Sequence, residues 1–376
     1  MRSNLTTEKP RFFMFASAMT PVERCLQVIR SRVFHRIIGA IVSFALFVVG
    51  LLTLVHLNPG GHLPDPPEQI EHIIGPTHRS LNPTCESVNN TGNVDIWTEG
   101  IKKYENLRDD KFTIAIQTYR RPKELEKTLN TLLEGDDEIP SLLEVVIVWN
   151  DLEEEPPKDF KSRHGVHVRY RQSEKNSLNS RLIPDPSFQT QAILLSDDDV
   201  YYQPLDLEFA FQTWRKYGRN RLTGAMARCT RHNELGHLEY VFCSEGRDDH
   251  YNMIITNLAF SHIRFLDYYS SDDPVMKKIR AEVDLNMNCE DIAMNFVTQI
   301  ITQEPPLLVF GDTPFVNMNP PGGISMHKGH FERRSKCLDH FSDLFGCFPL
   351  LDSNGYFGLG SGRHHWDALK ARAYPH

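Results

Sequence analysis

Three consecutive carboxylates, Asp197, Asp198 and Asp199, follow an apolar run at residues 192–195 after a single serine, Ser196. A buried strand that ends in acids presents oxygen ligands, and hard divalent ions such as Mn²⁺ or Mg²⁺ prefer oxygen. Such an ion would neutralise the phosphates of a bound nucleotide. Acidic runs also begin turns and cap helices, so the triplet alone leaves both a metal site and a turn open.

The sequence around these acids alternates between strand and helix patterns. Pro122 precedes leucines at positions 125, 129, 132 and 133, a spacing that predicts a helix opened by proline. Together with the apolar runs, this alternation predicts an α/β fold. The predicted strands lie at residues 112–119, 144–149, 166–171 and 191–196.

Polar residues follow two of these strands as well. Arg121 comes after the first strand and Asn150 after the second. Ligands bind outside the carboxyl ends of strands in open parallel sheets, so we expect both residues to share a crevice with the acidic triplet. Amide, guanidinium and carboxylate groups suit a nucleotide-sugar, although each residue alone is also common in ordinary surface loops.

A second pair of acids, Glu290 and Asp291, lies in the segment NMNCEDIAMNF at residues 286–296. The two acids stand at the start of a predicted helical run in which Ile292, Ala293, Phe296 and Val297 face the core. Acids in a first turn are expected from the helix dipole alone. The sharper hypothesis is that one of them orients an acceptor hydroxyl or acts as a base.

Length and charge limit the class of protein. The chain has 376 residues with 40% hydrophobic content, enough for one large domain. Its net charge is −8, and no basic block occurs in the last three quarters of the sequence. This pattern argues against nucleic acid as a partner.

An uncharged apolar segment at residues 37–57 predicts one transmembrane signal anchor. Arg24, Arg30, Arg32 and Arg36 lie on its N-terminal side, and the next Arg or Lys after it is Arg79, so the positive-inside rule predicts a single-pass type II protein of the Golgi or endoplasmic reticulum. The predicted parts are a cytosolic tail (1–36), the anchor, a lumenal stem (58–109) and a lumenal catalytic domain (110–376).

Six of the seven cysteines fall on the predicted lumenal side, where disulfides form. Cys229 and Cys243 are close in sequence and are expected to pair across a hairpin. Asn89 begins the sequence Asn-Asn-Thr, an N-glycosylation acceptor on the same side.

Five segments, taken together, resemble the exostosin-like glycosyltransferases over residues 110–351. They occur in the family's order, which is far more specific than one acidic motif. The resemblance implies a GT-A fold with a mixed sheet flanked by helices. It also implies Mn²⁺ and retaining transfer of an α-linked N-acetylhexosamine from UDP-GlcNAc or UDP-GalNAc to a glycan or glycolipid. The segments are IQTYRRP (116–122), VIVWND (146–151), LLSDDDVYY (194–202), NCEDIAMNF (288–296) and RSKC (334–337).

The resemblance also implies roles for individual residues. Asp197 and Asp199 would contact the metal and diphosphate, and Asp198 would lie nearer the ribose and donor sugar. Asp291, with Glu290 beside it, would contact the donor sugar at the reaction centre. The remaining positions are expected to hold the nucleotide or donor (Gln117, Tyr119, Arg121, Asn150, Asn176 and Arg181), to face the leaving diphosphate (His330 and Arg334), or to form a disulfide (Cys289 with Cys337).

The chain departs from the animal members of this family at two positions. Glu290 replaces an aspartate, and Ser325 replaces a tryptophan, so an aromatic platform for the acceptor is not implied at that position. Two other hypotheses stay open: an inverting transferase with Asp291 or Glu290 as general base, and an inactive membrane-anchored glycan-binding or scaffold protein. The sequence leaves a homodimer open too.

Overall fold

An eight-stranded, mostly parallel sheet with helices packed on it forms the centre of the described fold. The structure is a computed structural model that describes residue 85 and residues 99–157, 160–243 and 250–359. The strands are β1 (Arg108–Thr118), β2 (Leu142–Trp149), β3 (His167–Gln172), β4 (Thr190–Asp197), β5 (Val200–Tyr201), β6 (Thr223–Gly224), β7 (Ala227–His232), β8 (Leu238–Val241), β9 (Met253–Ile254), β10 (Leu258–His262), β11 (Leu307–Phe310), β12 (Val316–Asn317) and β13 (Tyr356–Gly358). The α-helices are α1 (Pro122–Leu133), α2 (Pro204–Thr213), α3 (Ile263–Tyr269), α4 (Pro274–Asn286), α5 (Glu290–Thr302) and α6 (His330–Phe345).

The four strands predicted from apolar runs are β1 to β4, with ends that differ by a few residues. The central residues of β1, β2 and β4 are buried, as expected for parallel strands covered on both faces, whereas β3 at the edge of the sheet is only partly buried. Helix α1 starts at Pro122 and buries the four predicted leucines. The predicted mixed α/β fold is therefore confirmed.

The strand order places a switch point beside the acidic triplet. The sheet runs β13-β11-β6-β10-β4-β1-β2-β3, so β1 pairs with β2 on one side and with β4 on the other, all three in parallel. Their carboxyl ends meet at one edge. A crevice at such a point is the usual ligand site of an open α/β sheet.

Strand β10 interrupts the parallel order because it pairs antiparallel with both β4 and β6. The hairpin β7–β8, joined by β9, forms a small separate sheet. Apolar side chains fill both faces of the large sheet, with α5 and α6 on one face and α1 and α2 on the other.

Three disulfides connect the described residues. Cys229 bonds Cys243 across the β7–β8 hairpin, and Cys289 bonds Cys337 between α5 and α6, as expected. A third joins Cys85 to Cys347. Residues 99–103 are helical and β1 begins at Arg108. Ordered structure therefore starts before the predicted stem boundary at residue 109.

The predicted tail, anchor and glycosylation acceptor Asn89 lie outside the described residues, as does most of the predicted stem. Among the residues that are described, none of the helices has the length and apolar character needed to cross a bilayer.

Candidate active site

A cavity of about 1360 Å³ opens at the carboxyl ends of β1 and β4. It has two walls with different origins. The strand-end wall consists of Gln117–Arg121 and Asp197–Asp199, and the helix–hairpin wall consists of Tyr240, Phe242, Glu290, Asp291, His330, Phe331 and Arg334. Of the site residues expected from the sequence, all line this cavity except Asn150 and Arg181.

The acidic triplet is held by β1, α1 and the residue that precedes β10. The Asp197 amide donates to the Asn257 carbonyl at 2.9 Å, and the Asp198 carbonyl accepts from Thr128 Oγ1 at 2.6 Å. Thr118 Oγ1 donates to Asp198 Oδ2 at 2.7 Å. The middle carboxylate therefore points into the protein, with a side chain only 3% exposed.

The other two acids differ in exposure. The side chain of Asp197 is 37% exposed and that of Asp199 is 11% exposed. Arg121 Nη1 donates to Asp199 Oδ2 at 3.2 Å and lies 3.5 Å from Asp198 Oδ1. One partly exposed arginine thus serves two carboxylates.

The triplet holds more negative charge than its surroundings balance. Burial, followed by the nearby Asp197, raises the pKa of Asp199 to about 6. Burial also raises the pKa of Asp198 to about 7, against the opposing effect of its hydrogen bond from Thr118. An added cation at this position would stabilise the ionised forms.

Asn150, expected on the nucleotide, is instead fully buried at the end of β2. Its Nδ2 donates to the Ser177 carbonyl at 3.0 Å and to Asn176 Oδ1 at 3.4 Å, and its Oδ1 accepts from Ser173 Oγ at 2.6 Å. With these polar atoms engaged, Asn150 supports the loop that carries the exposed, cavity-lining Asn176.

Arg181 also differs from its expected place, because it lies beneath the cavity and is 2% exposed. It forms an ion pair with Asp197, and its Nη2 lies 3.4 Å from Glu290 Oε1 and 4.0 Å from Asp291 Oδ1. Burial alone would lower the pKa of Arg181, but these three acids raise it. Arg181 connects the two walls electrostatically.

A tight turn delivers the second pair of acids. The expected helical run begins at Glu290, with both acids in its first turn, and the preceding Met287 and Cys289 have left-handed backbone with φ of 46° and 76°. This conformation costs a non-glycine residue roughly 1–2 kcal/mol. Asn288 Oδ1 accepts from the Cys289 amide at 2.8 Å, so this side chain stabilises the turn.

Asp291 is held on both carboxylate oxygens. Oδ1 accepts from the amide and hydroxyl of Thr256 at 2.9 and 2.6 Å, and Oδ2 accepts from Arg334 Nη2 at 2.7 Å. Burial would raise the pKa of Asp291, but Arg334 and then Arg181 bring it below its usual value. The group is a fixed, ionised carboxylate.

Arg334 is fixed from three sides. Its Nε lies 3.0 Å from both Asn288 Oδ1 and His330 Nε2, and its Nη1 donates to Tyr240 Oη at 2.9 Å. Burial and then Arg334 lower the pKa of His330 to about 4, so His330 is neutral at physiological pH and accepts this bond. Three of the five guanidinium donors are thus used by described residues, which leaves two for a ligand.

Glu290 contrasts with its neighbour Asp291. It is 6% exposed, and its Oε2 has no hydrogen-bond partner among the described residues. Burial and then Asp291 raise the pKa of Glu290. A buried acid with a raised pKa beside a cavity is a candidate proton acceptor near neutral pH.

The family of the chain follows from residues 112–358, which match the model described as the glycosyl transferase family 64 domain. The match covers more than half of the chain. The chain belongs to this family. The expected exostosin-like relationship and the expected glycosyltransferase domain are thereby confirmed.

Two relatives and one solved structure illustrate the similarity. An Exostosin-like-3 homolog of Caenorhabditis elegans is 31% identical over 247 residues, 65% of this chain and 29% of that protein. Glucosamine inositolphosphorylceramide transferase 1 of Arabidopsis thaliana is 33% identical over 258 residues, 66% of this chain and 32% of that protein. The chain therefore spans about a third of their length. A crystal structure of GalNAc-T7 with UDP, GalNAc and Mn²⁺ has a TM-score of 0.38 and 12% identity, over 52% of this chain and 41% of that one.

This family 64 domain also uses residues that sequence reasoning did not select. Asn288 stands two residues before Glu290 in the segment NCEDIAMNF, so its position offered a signal. Tyr240 and Thr256 offered none, because hydrogen bonds to Arg334 and Asp291 distinguish them only in the folded chain.

Proposed function

We propose that this chain has a GT-A fold and transfers an N-acetylhexosamine, GlcNAc or GalNAc, from a UDP-sugar to a glycan or glycolipid with an α linkage. One observation carries the proposal: the acidic triplet with Arg121 and the Asp291–Arg334 pair face the same cavity. The first set suits a metal-bound diphosphate, and the second suits the bond that breaks.

Asp197 and Asp199 fit Mn²⁺ as carboxylate ligands. Both line the cavity, and the raised pKa of Asp199 marks negative charge that a divalent ion would balance. No cluster of three or more His, Cys, Asp or Glu side chains able to hold a metal occurs in the described residues. Hard ions at nucleotide sites are commonly held by one or two carboxylates together with phosphate oxygens. When bound, the ion would supply charge neutralisation to the diphosphate.

Arg334 and Asp291 are assigned the roles at the bond that breaks. Arg334 stabilises the leaving diphosphate with its two unused N–H donors, a kind of contact typically worth about 3 kcal/mol in the transition state. Asp291 orients Arg334 and the donor sugar. Because both of its oxygens are engaged, we favour front-side substitution, in which the bond from the anomeric carbon to the diphosphate breaks, the acceptor oxygen bonds on the same face, and the diphosphate takes the acceptor proton.

An inverting reaction is the second candidate, because Glu290 has an unpartnered oxygen and a raised pKa. In that reaction Glu290 would act as the base that takes the proton of the acceptor hydroxyl. Proton NMR of the product made from a UDP-α-sugar separates the two: an α linkage supports our proposal, and a β linkage replaces it. If a glycosyl-enzyme adduct can still be trapped on the Asp291→Asn variant, Asp291 is not a nucleophile.

The decisive experiment screens UDP-sugars against the full-length chain with Mn²⁺ or with EDTA. We expect Mn²⁺-dependent hydrolysis of UDP-GlcNAc or UDP-GalNAc that Asp199→Ala abolishes. The control Asp136→Ala removes an acid whose side chain is 93% exposed and should change nothing. UDP-sugar binding without turnover would favour the scaffold alternative, and neither binding nor turnover would overturn the proposal.

The proposal includes a type II anchor at residues 37–57 in the Golgi or endoplasmic reticulum. Three disulfides among the described residues support an oxidising compartment. A mobility shift on enzymatic deglycosylation in transfected cells, lost in Asn89→Gln, tests the topology. A chain that is unglycosylated in the secretory pathway would contradict it.

A further inference from the structure

Two phenylalanine rings are left partly exposed inside the cavity. Phe331 is the second residue of α6 and is 39% exposed, and Phe242 follows β8. Their ring centroids lie 5.2 Å apart, and both rings line the helix–hairpin wall. We name this pair the aromatic shelf. Apolar area kept in contact with water at a site commonly marks a surface that a ligand covers.

The shelf is held rigidly before any ligand arrives. Phe331 packs 5.7 Å from the ring of Tyr240, and the Arg228 guanidinium lies 4.4 Å over the ring of Phe242. The Cys229–Cys243 disulfide closes the hairpin directly after Phe242. Rings that do not have to be ordered lose little entropy on binding.

The shelf also lies close to the reacting groups. Tyr240 contacts Phe331 on one side and accepts a hydrogen bond from Arg334 on the other. Arg334 in turn holds Asp291. One tyrosine therefore separates the shelf from the pair proposed to act at the anomeric carbon, whereas the nucleotide is assigned to the strand-end wall.

We propose that the aromatic shelf is the acceptor subsite and binds the pyranose ring of the acceptor sugar face to face. This inference rests on the proposed transferase function. Aromatic faces carry negative charge and attract polarised C–H groups. The best partner is a ring with equatorial substituents, since its axial C–H groups then form one apolar face. A β-linked pyranose of gluco configuration, whose H1, H3 and H5 share one apolar face, therefore fits the shelf.

Saturation-transfer NMR with methyl β-D-glucopyranoside tests this binding without turnover. With the full-length chain and UDP, we expect the strongest saturation at H1, H3 and H5, which share one face. Phe331→Ala should reduce it about five- to tenfold, and Phe331→Tyr should retain it. Tyr217→Ala is the matched control, because Tyr217 is 47% exposed and stacks on Phe357 away from the cavity. Equal saturation in Phe331→Ala and the wild type would overturn the shelf.

Kinetics with the same glucoside as acceptor separate this inference from the proposed function. In Phe331→Ala we expect an acceptor KM raised about tenfold and a much smaller change in UDP-sugar hydrolysis, with Phe331→Tyr near wild type. Hydrolysis that persists with an unchanged acceptor KM would overturn the acceptor subsite but not the transferase function. If no variant hydrolysed UDP-sugar, and the wild type did not either, the transferase function would be overturned. The NMR result would still decide whether the shelf binds sugar.

Discussion

The two walls of the cavity both present carboxylates, yet they hold them in opposite electrostatic states. On the strand-end wall, Asp198 and Asp199 share one partly exposed arginine, and their pKa values are raised. On the helix–hairpin wall, Asp291 has Arg334, Arg181 and two bonds from Thr256, and its pKa is lowered. The carboxylates of Asp198 and Asp199 are short of positive charge, whereas that of Asp291 is saturated although its neighbour Glu290 is not.

This difference assigns the walls different tasks. A carboxylate with too little positive charge around it is stabilised by a bound cation, so the strand-end wall favours cation binding. Asp291 already has its positive charge and serves to hold Arg334 in one position. Preorganised donors of that kind need not reorganise during reaction.

The largest expected effect comes from Arg334→Ala on the helix–hairpin wall. The change leaves Asp291 buried without its closest counter-charge, and breaking a buried pair in this way costs about 3–5 kcal/mol. Urea unfolding should show this loss in the free energy of unfolding. UDP-sugar hydrolysis should fall by roughly 10²–10³.

Arg163→Ala is the matched control for this variant. Arg163 pairs with Asp136 on the surface, with side chains 55% and 93% exposed, so its removal should cost less than about 1 kcal/mol. If the two arginine variants lost equal stability, the saturated state of the helix–hairpin wall would be refuted.

The two walls also differ in how far the sequence predicts them. The strand-end wall follows from local signals, because each group stands directly after a strand whose apolar run is readable. Arg181 and Asn150 were misplaced because their surroundings are not local: Arg181 contacts Glu290, 109 residues away, and Asn150 contacts residues of another loop. The two cysteines predicted the hairpin itself, but no local signal indicated that its Tyr240 would contact Arg334.

Removing the disulfide of Cys289 and Cys337 should have the next largest effect. It closes a separation of 48 residues, whereas the hairpin disulfide of Cys229 and Cys243 closes 14. Loop-closure entropy predicts losses of about 4 and about 3 kcal/mol for the double serine variants. Calorimetry measures the stability, and paired hydrolysis and transfer assays measure function.

The functional outcomes of these two disulfide variants should differ more than their stabilities. The Cys289–Cys337 disulfide links the helices of Asp291 and Arg334, so its loss should slow hydrolysis and transfer together. The Cys229–Cys243 disulfide supports the aromatic shelf, so its loss should weaken transfer and spare hydrolysis. Identical kinetic profiles would mean that the helix–hairpin wall acts as one unit.

A pH experiment tests the shortage of positive charge on the strand-end wall. Between the unfolded pKa of 3.8 and the folded value of about 7, folded Asp198 binds more protons than unfolded Asp198. Its contribution to the free energy of unfolding therefore falls as pH rises through this range. In EDTA, the stability advantage of Asp198→Asn over the wild type should therefore grow with pH, by about 2–3 kcal/mol between pH 5 and pH 8.

The urea unfolding midpoints of the wild type and Asp198→Asn, measured from pH 5 to pH 8, give this difference in stability. Transfer by Asp198→Asn should be impaired while Mn²⁺ binding persists, in keeping with a donor contact by the middle acid. Parallel stability curves for the two proteins would show that the wall is not short of positive charge.

The smallest expected effect comes from Ser335→Ala, which probes how the hairpin is attached to α6. Ser335 Oγ accepts from the Tyr240 amide at 3.0 Å and donates to the Phe331 carbonyl at 3.1 Å. Losing the first bond leaves a part-buried amide unpaired, at a cost of about 1 kcal/mol. The acceptor KM should rise about two- to threefold with hydrolysis unchanged.

Ser270→Ala isolates that bond, because Ser270 Oγ makes the same kind of contact to a preceding carbonyl, Leu266, at 2.8 Å without a hairpin amide. It should lose less stability and keep its acceptor KM. If both serine variants behaved alike, the shelf would not depend on the attachment of β8 to α6. Its rigidity would then have to come from the disulfide and the Arg228–Phe242 contact alone.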